Sequence, residues 1–307
     1  MHWLAVLMVG TLSWQSSAVA SNAHIDNSPT LARIASTGEI SIGHRTSEIP
    51  FSYEVDGQPT GYAVDLCLQV VEGLQDALGL TDIRVNYVPV TPANRFILVR
   101  NGDVDIECGV TTNTAERRRQ AAFSYPNFLT ATRYVSLAEQ KMDSVQDLAG
   151  RSVVSTTGTI NIGQLNELNR TEELNIAVML SRNHEEAFAM VASGQASAFV
   201  MDEILLAGLV SSASDPAAFH ISQATLSSAE PYGLMMPADD PIFVEWVNQQ
   251  LSTFYQSEGI QALYDKWFLQ PVPPDNRVLN LPLAPALAAI FANPEQYVQQ
   301  NLAPHAE

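Results

Sequence analysis

From about residue 38 to residue 236, short apolar runs alternate with stretches in which apolar residues recur every three or four positions. The runs read as strands and the wider spacing as helices, which predicts an α/β architecture with helices on both sheet faces. Residues 39–43 form the first strand. Asp65 is placed to cap a helix carrying Leu66, Val70, Leu74 and Leu78. Residues 83–88 return as a strand, 94–100 as a short helix and 104–108 as a strand. A second series follows, with strands at 133–138, 150–155, 176–180 and 196–201. Helices at 159–169 and 184–192 lie between them, and a further helix runs from Asp202 to about residue 209. Each strand–helix pair fits a crossover unit, so two parallel sheets are expected. Beyond residue 240 the pattern is helical: Asp240-Pro241 starts one helix and Ser257 caps the next, until Pro271, Pro273 and Pro274 end it. The aromatic residues of 243–268 read as core, and the remainder to Glu307 as a short amphipathic extension.

The first fourteen residues form an apolar run too short to span a bilayer, followed by Ala18-Val19-Ala20, the small-x-small pattern of a cleavage site. Residues 1–20 are therefore expected to be a signal peptide, although the run contains no Lys or Arg. The formal charge is −18, all of it outside that segment. Such a surface repels nucleic acid and anionic lipid, so neither is an expected partner. Cys67 and Cys108 are able to bridge in an oxidising compartment, but two cysteines alone leave the pairing open. The scattered histidines suggest no metal site, and no nucleophile elbow or phosphate-binding glycine loop is present.

A set of spaced motifs resembles the periplasmic glutamate/aspartate-binding proteins of ABC amino-acid importers. The motifs are Gly43-His44-Arg45 with Pro50-Phe51-Ser52-Tyr53, Asn94-Arg95, Glu107-Cys108-Gly109 with Thr111-Thr112-Asn113, and Glu116-Arg117. They continue with Thr156-Thr157-Gly158-Thr159, His184, Met201-Asp202 and Tyr264-Asp265-Lys266-Trp267-Phe268. The resemblance implies the type II periplasmic binding protein fold, two α/β lobes joined by two crossover strands. Lobe one would comprise residues 21–130 and 228–307, lobe two 131–227. It also implies a monomer in the periplasm, an amino acid ligand in the cleft, an inner-membrane ABC permease as partner, and no cofactor.

An amino acid's carboxylate and ammonium both lose water on burial, at a cost of several kcal/mol per ion unless the site compensates them. Arg117 suits the carboxylate, because a guanidinium offers two parallel hydrogen bonds, with Thr112 assisting. Asp202 suits the ammonium, beside the main-chain carbonyl of Val110, although capping the following helix is its alternative use. Arg45, Arg95 and His184 stand at further family pocket positions as surplus potential cations. Thr156 and Thr159 precede a helix whose free amides favour an anion. Together they suggest a second acidic group on the ligand, hence glutamate or aspartate. Pro92 and Val110 replace family serines, each removing a pocket hydroxyl, so another polar amino acid is an alternative. A periplasmic lyase of the cyclohexadienyl dehydratase type, with Glu107 as its acid, is a more distant one.

Overall fold

The computed structural model describes residues 27–302; the expected signal peptide, residues 1–20, lies outside them. The first part of the chain contains α1 (Pro29–Thr37), β1 (Glu39–His44), β2 (Ser47–Glu48), β3 (Ser52–Val55), β4 (Gln58–Thr60), α2 (Tyr62–Leu78), β5 (Arg84–Pro89), α3 (Arg95–Arg100), β6 (Ile106–Glu107) and β7 (Ala122–Phe123). It then passes through β8 (Phe128–Thr130) to β9 (Thr132–Leu137), β10 (Ser152–Thr156), α4 (Asn161–Thr171), β11 (Ala177–Ser181), α5 (His184–Ala192), β12 (Ala198–Asp202), α6 (Glu203–Ser212) and β13 (Phe219–Ile221). It returns through β14 (Glu230–Tyr232) to β15 (Met235–Met236), α7 (Pro241–Tyr255), α8 (Glu258–Phe268), α9 (Pro285–Ala292) and α10 (Pro294–Asn301).

Two five-stranded sheets result, ordered β5-β1-β6-β15-β7 and β11-β10-β12-β9-β13. The expectation of wholly parallel sheets is corrected. In the first, β15 runs antiparallel to β6 and β7; in the second, β9 runs antiparallel to β12 and β13. Only the βαβ crossovers enforce parallel pairing, and the strands next to the two passages between sheets have none. The passages themselves pair: β8 and β14 form an antiparallel ribbon, with Phe128 opposite Tyr232. A small meander, β2-β3-β4, completes the strands and was not signalled by periodicity.

The helix placed at Asp65 begins at Tyr62. Gly61 precedes it with φ 128°, and a Cβ there would lie 2.2 Å from the Phe51 carbonyl oxygen, so the close approach requires glycine. Asp65 instead accepts hydrogen bonds from Lys266 Nζ and Trp267 Nε1, both at 2.7 Å, and joins α2 to α8. The helix starts expected at Asp240-Pro241 and at the Ser257 cap hold, and both side chains accept from helix amides, those of Phe243 and Gly259.

Cys67 on α2 and Cys108 after β6 form a disulfide with Cα atoms 6.2 Å apart. Around it Phe51, Tyr62, Phe128, Tyr232 and Phe268 pack as a cluster of edge-to-face and stacked rings, Phe128 lying 4.9 Å from Phe51 and 5.3 Å from Phe268. Each connecting strand thus plants one aromatic ring in the core of the first sheet's unit, which anchors that end of the ribbon.

Candidate functional site

The carboxyl ends of β1, β6, β10 and β12 point toward the space between the sheets, where open α/β folds place ligands. A narrow cavity lies there, lined from the first sheet's side by Arg45, Pro92, Arg95, Val110, Thr112 and Arg117. Thr159, Ile160, Asn161, His184, Met201 and Asp202 close it from the other side. Eight of the nine sequence-selected residues therefore reach one cavity. The ninth, Thr156, stands behind its wall at the end of β10, where its hydroxyl meets His184 Nδ1 at 2.8 Å.

Arg117 is held from two directions. Its Nη1 donates to the Thr112 carbonyl at 3.0 Å and its Nη2 reaches the Gly158 carbonyl on the opposite side at 3.4 Å. Its guanidinium also lies over the Phe96 ring, 5.5 Å from the centroid. Burial draws its pKa down against the opposing pull of Asp202 and Glu107. Arg95 is more enclosed: burial first, then Arg117, pushes it down to about 9, so it keeps its proton at neutral pH. Among the described residues its Nε has no hydrogen-bond partner, nor does Nη1 of Arg45.

Asp202 ends β12, and its side chain does not cap α6. Its Oδ1 accepts from Asn161 Nδ2 at 2.8 Å and its Oδ2 from the Tyr232 hydroxyl. Burial raises the Asp202 carboxyl above its ordinary range, against the effect of those bonds and of Arg117. An incoming ammonium would restore the compensation that burial removed.

His184 departs from its expected role as a cation. Burial, then the charges of Arg45 and Arg95, holds its pKa well below the ordinary histidine value. It is a neutral imidazole, and hydrogen bonding is what it has to offer. Arg45 is ion-paired with Glu48, which is buried to 3% exposure. Glu107 is fully buried beside Arg45 and Arg95, its Oε2 accepting from Thr111 Oγ1 at 2.7 Å and its Oε1 unpartnered. Periodicity gave no sign of Glu48, which hides in a two-residue strand, or of Asn161 and Tyr232. The only sequence signal for Glu48 was a carboxylate three residues from a motif arginine.

The two sides meet main chain to main chain. Gly158, at φ 84°, approaches Pro92 so closely that a Cβ would lie 2.6 Å from the proline's carbonyl oxygen. Gly208 on α6 does the same at the Ile49 carbonyl oxygen, at 2.4 Å. Gly158→Ala should therefore hold the two sides apart and weaken ligand binding by roughly ten- to a hundredfold, following the ~1–3 kcal/mol usual for overpacking. Calorimetry together with the scattering radius of the liganded protein checks this; wild-type affinity with wild-type compaction would refute it.

Residues 40–270 match the model of the bacterial extracellular solute-binding proteins, family 3. The chain belongs to this family. Among curated family 3 relatives, the L-glutamate/L-aspartate-binding protein of Pseudomonas aeruginosa is 39% identical over 275 residues, covering 89% of this chain and 91% of that protein. The glutamate/aspartate import solute-binding protein of Escherichia coli K12 is 36% identical over 266 residues, 86% of this chain and 88% of that one. A solved ancestral amino acid-binding protein, described as a precursor of cyclohexadienyl dehydratase, superposes with TM-score 0.68 at 26% identity, covering 78% of this chain and 99% of that one. A histidine-bound substrate-binding protein of a Streptococcus pneumoniae ABC uptake transporter superposes with TM-score 0.69 at 18% identity, over 77% and 95% of the respective chains. That second likeness shows the fold alone, the two-lobed α/β arrangement of type II periplasmic binding proteins.

Proposed function

We propose that this protein is a periplasmic receptor that closes around an acidic L-amino acid and delivers it to an ABC permease. The observation that carries the reading is the placement of Arg117 and Asp202 on opposite walls of one buried cavity. One is a forked cation and the other an anion, as an α-carboxylate and an α-ammonium require. Residues 21–130 with 228–307, and residues 131–227, would move as the two lobes, with β8 and β14 as the hinge. Thr112 and the Val110 carbonyl would assist Arg117 and Asp202. Arg45, Arg95, Thr159 and His184, backed by Thr156, would receive the side chain. The names of the Pseudomonas and Escherichia relatives support glutamate or aspartate as the guest.

A thermal-shift panel of the common L-amino acids on the mature chain, from about pH 5 to about pH 8, tests this, because a ligand of the folded state raises its melting temperature. Glutamate or aspartate should give the largest shift. A neutral or basic amino acid giving a larger one would overturn the acidic specificity. Recovery of the bound guest chemically unchanged separates a receptor from a lyase that uses the buried Glu107.

A further inference from the structure

One of the cations available to an acidic side chain, Arg45, already has a carboxylate of the protein's own. Glu48 in β2 pairs with Arg45, and its Oε1 lies 3.5 Å from His184 Nε2 across the gap between the two sides. Its Oε2 has no hydrogen-bond partner among the described residues. Around the cavity the cations Arg45, Arg95 and Arg117 are set against the carboxylates of Asp202, Glu48, Glu107 and Glu230. A zwitterionic guest adds no net charge, since its own two groups meet Arg117 and Asp202. The side-chain carboxylate of glutamate or aspartate adds one negative charge, and adds it where Glu48 already stands.

We propose that Glu48 is a specificity-determining residue that competes with the guest's side-chain carboxylate for Arg45 and His184, so that an acidic guest enters together with one proton. This deepens the receptor reading and rests on it. The proton comes from solvent and bonds to a carboxylate oxygen of Glu48, which becomes a hydrogen-bond donor between two groups that would otherwise repel.

The groups around Glu48 allow this step. Arg45 follows β1, Arg95 sits on α3, Glu107 ends β6 and His184 opens α5. Arg45 and Arg95 favour the charged form, and Glu107 opposes it. Burial is the largest influence and already raises the Glu48 carboxyl above the ordinary glutamate range. A second cleft between the two sides, lined by Ser47, Glu48, Ile49, His184, Glu185 and Leu209, adjoins the cavity and gives solvent protons a way in. His184, neutral and facing Glu48 from the opposite side, does not supply the missing charge.

The sign follows from linkage. Binding a second carboxylate raises the Glu48 pKa further, so the complex holds more protons than the empty protein. Affinity for glutamate should then fall with rising pH, by up to about tenfold per unit, between the two Glu48 pKa values. Calorimetry of glutamate and aspartate binding to the mature wild-type chain, in buffers of differing ionisation enthalpy between about pH 5 and about pH 8, should read uptake approaching one proton. Glu48→Gln and Glu48→Ser should abolish the uptake, flatten the profile and tighten glutamate binding at the alkaline end. The wild-type measurement stands even where a variant fails to fold. Binding of glutamate to the wild type without proton uptake, or a variant with an unchanged pH slope, overturns the role of Glu48 while leaving the receptor intact. Failure of every L-amino acid to bind at any pH overturns the receptor reading beneath it.

Discussion

Arg117→Ala should cost this protein its affinity for every amino acid it takes, whatever the side chain. In the proposed receptor the buried guanidinium would face a guest's α-carboxylate, and it is fixed in place by the Thr112 and Gly158 carbonyls. Truncating one partner of a buried ion pair strands the other and costs about 3–5 kcal/mol, roughly two to four orders of magnitude in affinity. The variant also removes a positive charge that helps keep Asp202 ionised, so the ammonium subsite weakens with it. Arg117→Lys, a point charge without the fork, should fall in between. Titration calorimetry with glutamate, aspartate and their amides measures all of this. An Arg117→Ala protein binding within about tenfold of wild type would remove Arg117 from the carboxylate's subsite.

The second large effect is on stability. The Cys67–Cys108 bridge closes a loop with a sequence separation of 41. Loop-closure entropy alone assigns such a crosslink about 4 kcal/mol. Both sulfurs are fully buried, so reductant reaches them only after opening of the α2–β6 contact. The double variant Cys67→Ala/Cys108→Ala should melt roughly 10 °C below wild type, at about 2–4 °C per kcal/mol for a chain of this size. A melting point within about 2 °C of wild type would mean that the surrounding core does the work unaided. The bridge matters to the site as well. Cys108 lies between the buried Glu107 and Val110, which lines the cavity, so loss of the link should loosen that segment as well as the helix.

Much of this architecture was legible along the chain because a helix and a strand impose different periods on their apolar residues. The strand at residues 39–43 and the helix at 184–192 needed no tertiary information. What could not be read was set by contacts between distant segments. The parallel-sheet expectation failed because β7, β9, β13 and β15 take their direction from the path of the chain between sheets. Asp65 read as a cap because a capping aspartate and one that binds a tryptophan ring nitrogen look alike in one dimension. At the site, the ordered motifs gathered Arg45, Arg95, Arg117 and Asp202, but not the groups that surround them. A histidine's protonation depends on what buries it, and an arginine's availability on what already pairs with it. The contacts of His184 and Glu48 with each other and with Arg45 come only from the fold.

Gly158 resting on Pro92 and Gly208 resting on Ile49 bring the two sides together backbone against backbone, which would make the closed position of the proposed receptor a hard stop. Side chains could yield and let the jaws settle at different widths for different guests. Peptide groups cannot. Under the proposed function the molecule would work as a caliper of narrow gauge, and a guest much longer than glutamate would keep the jaws from meeting.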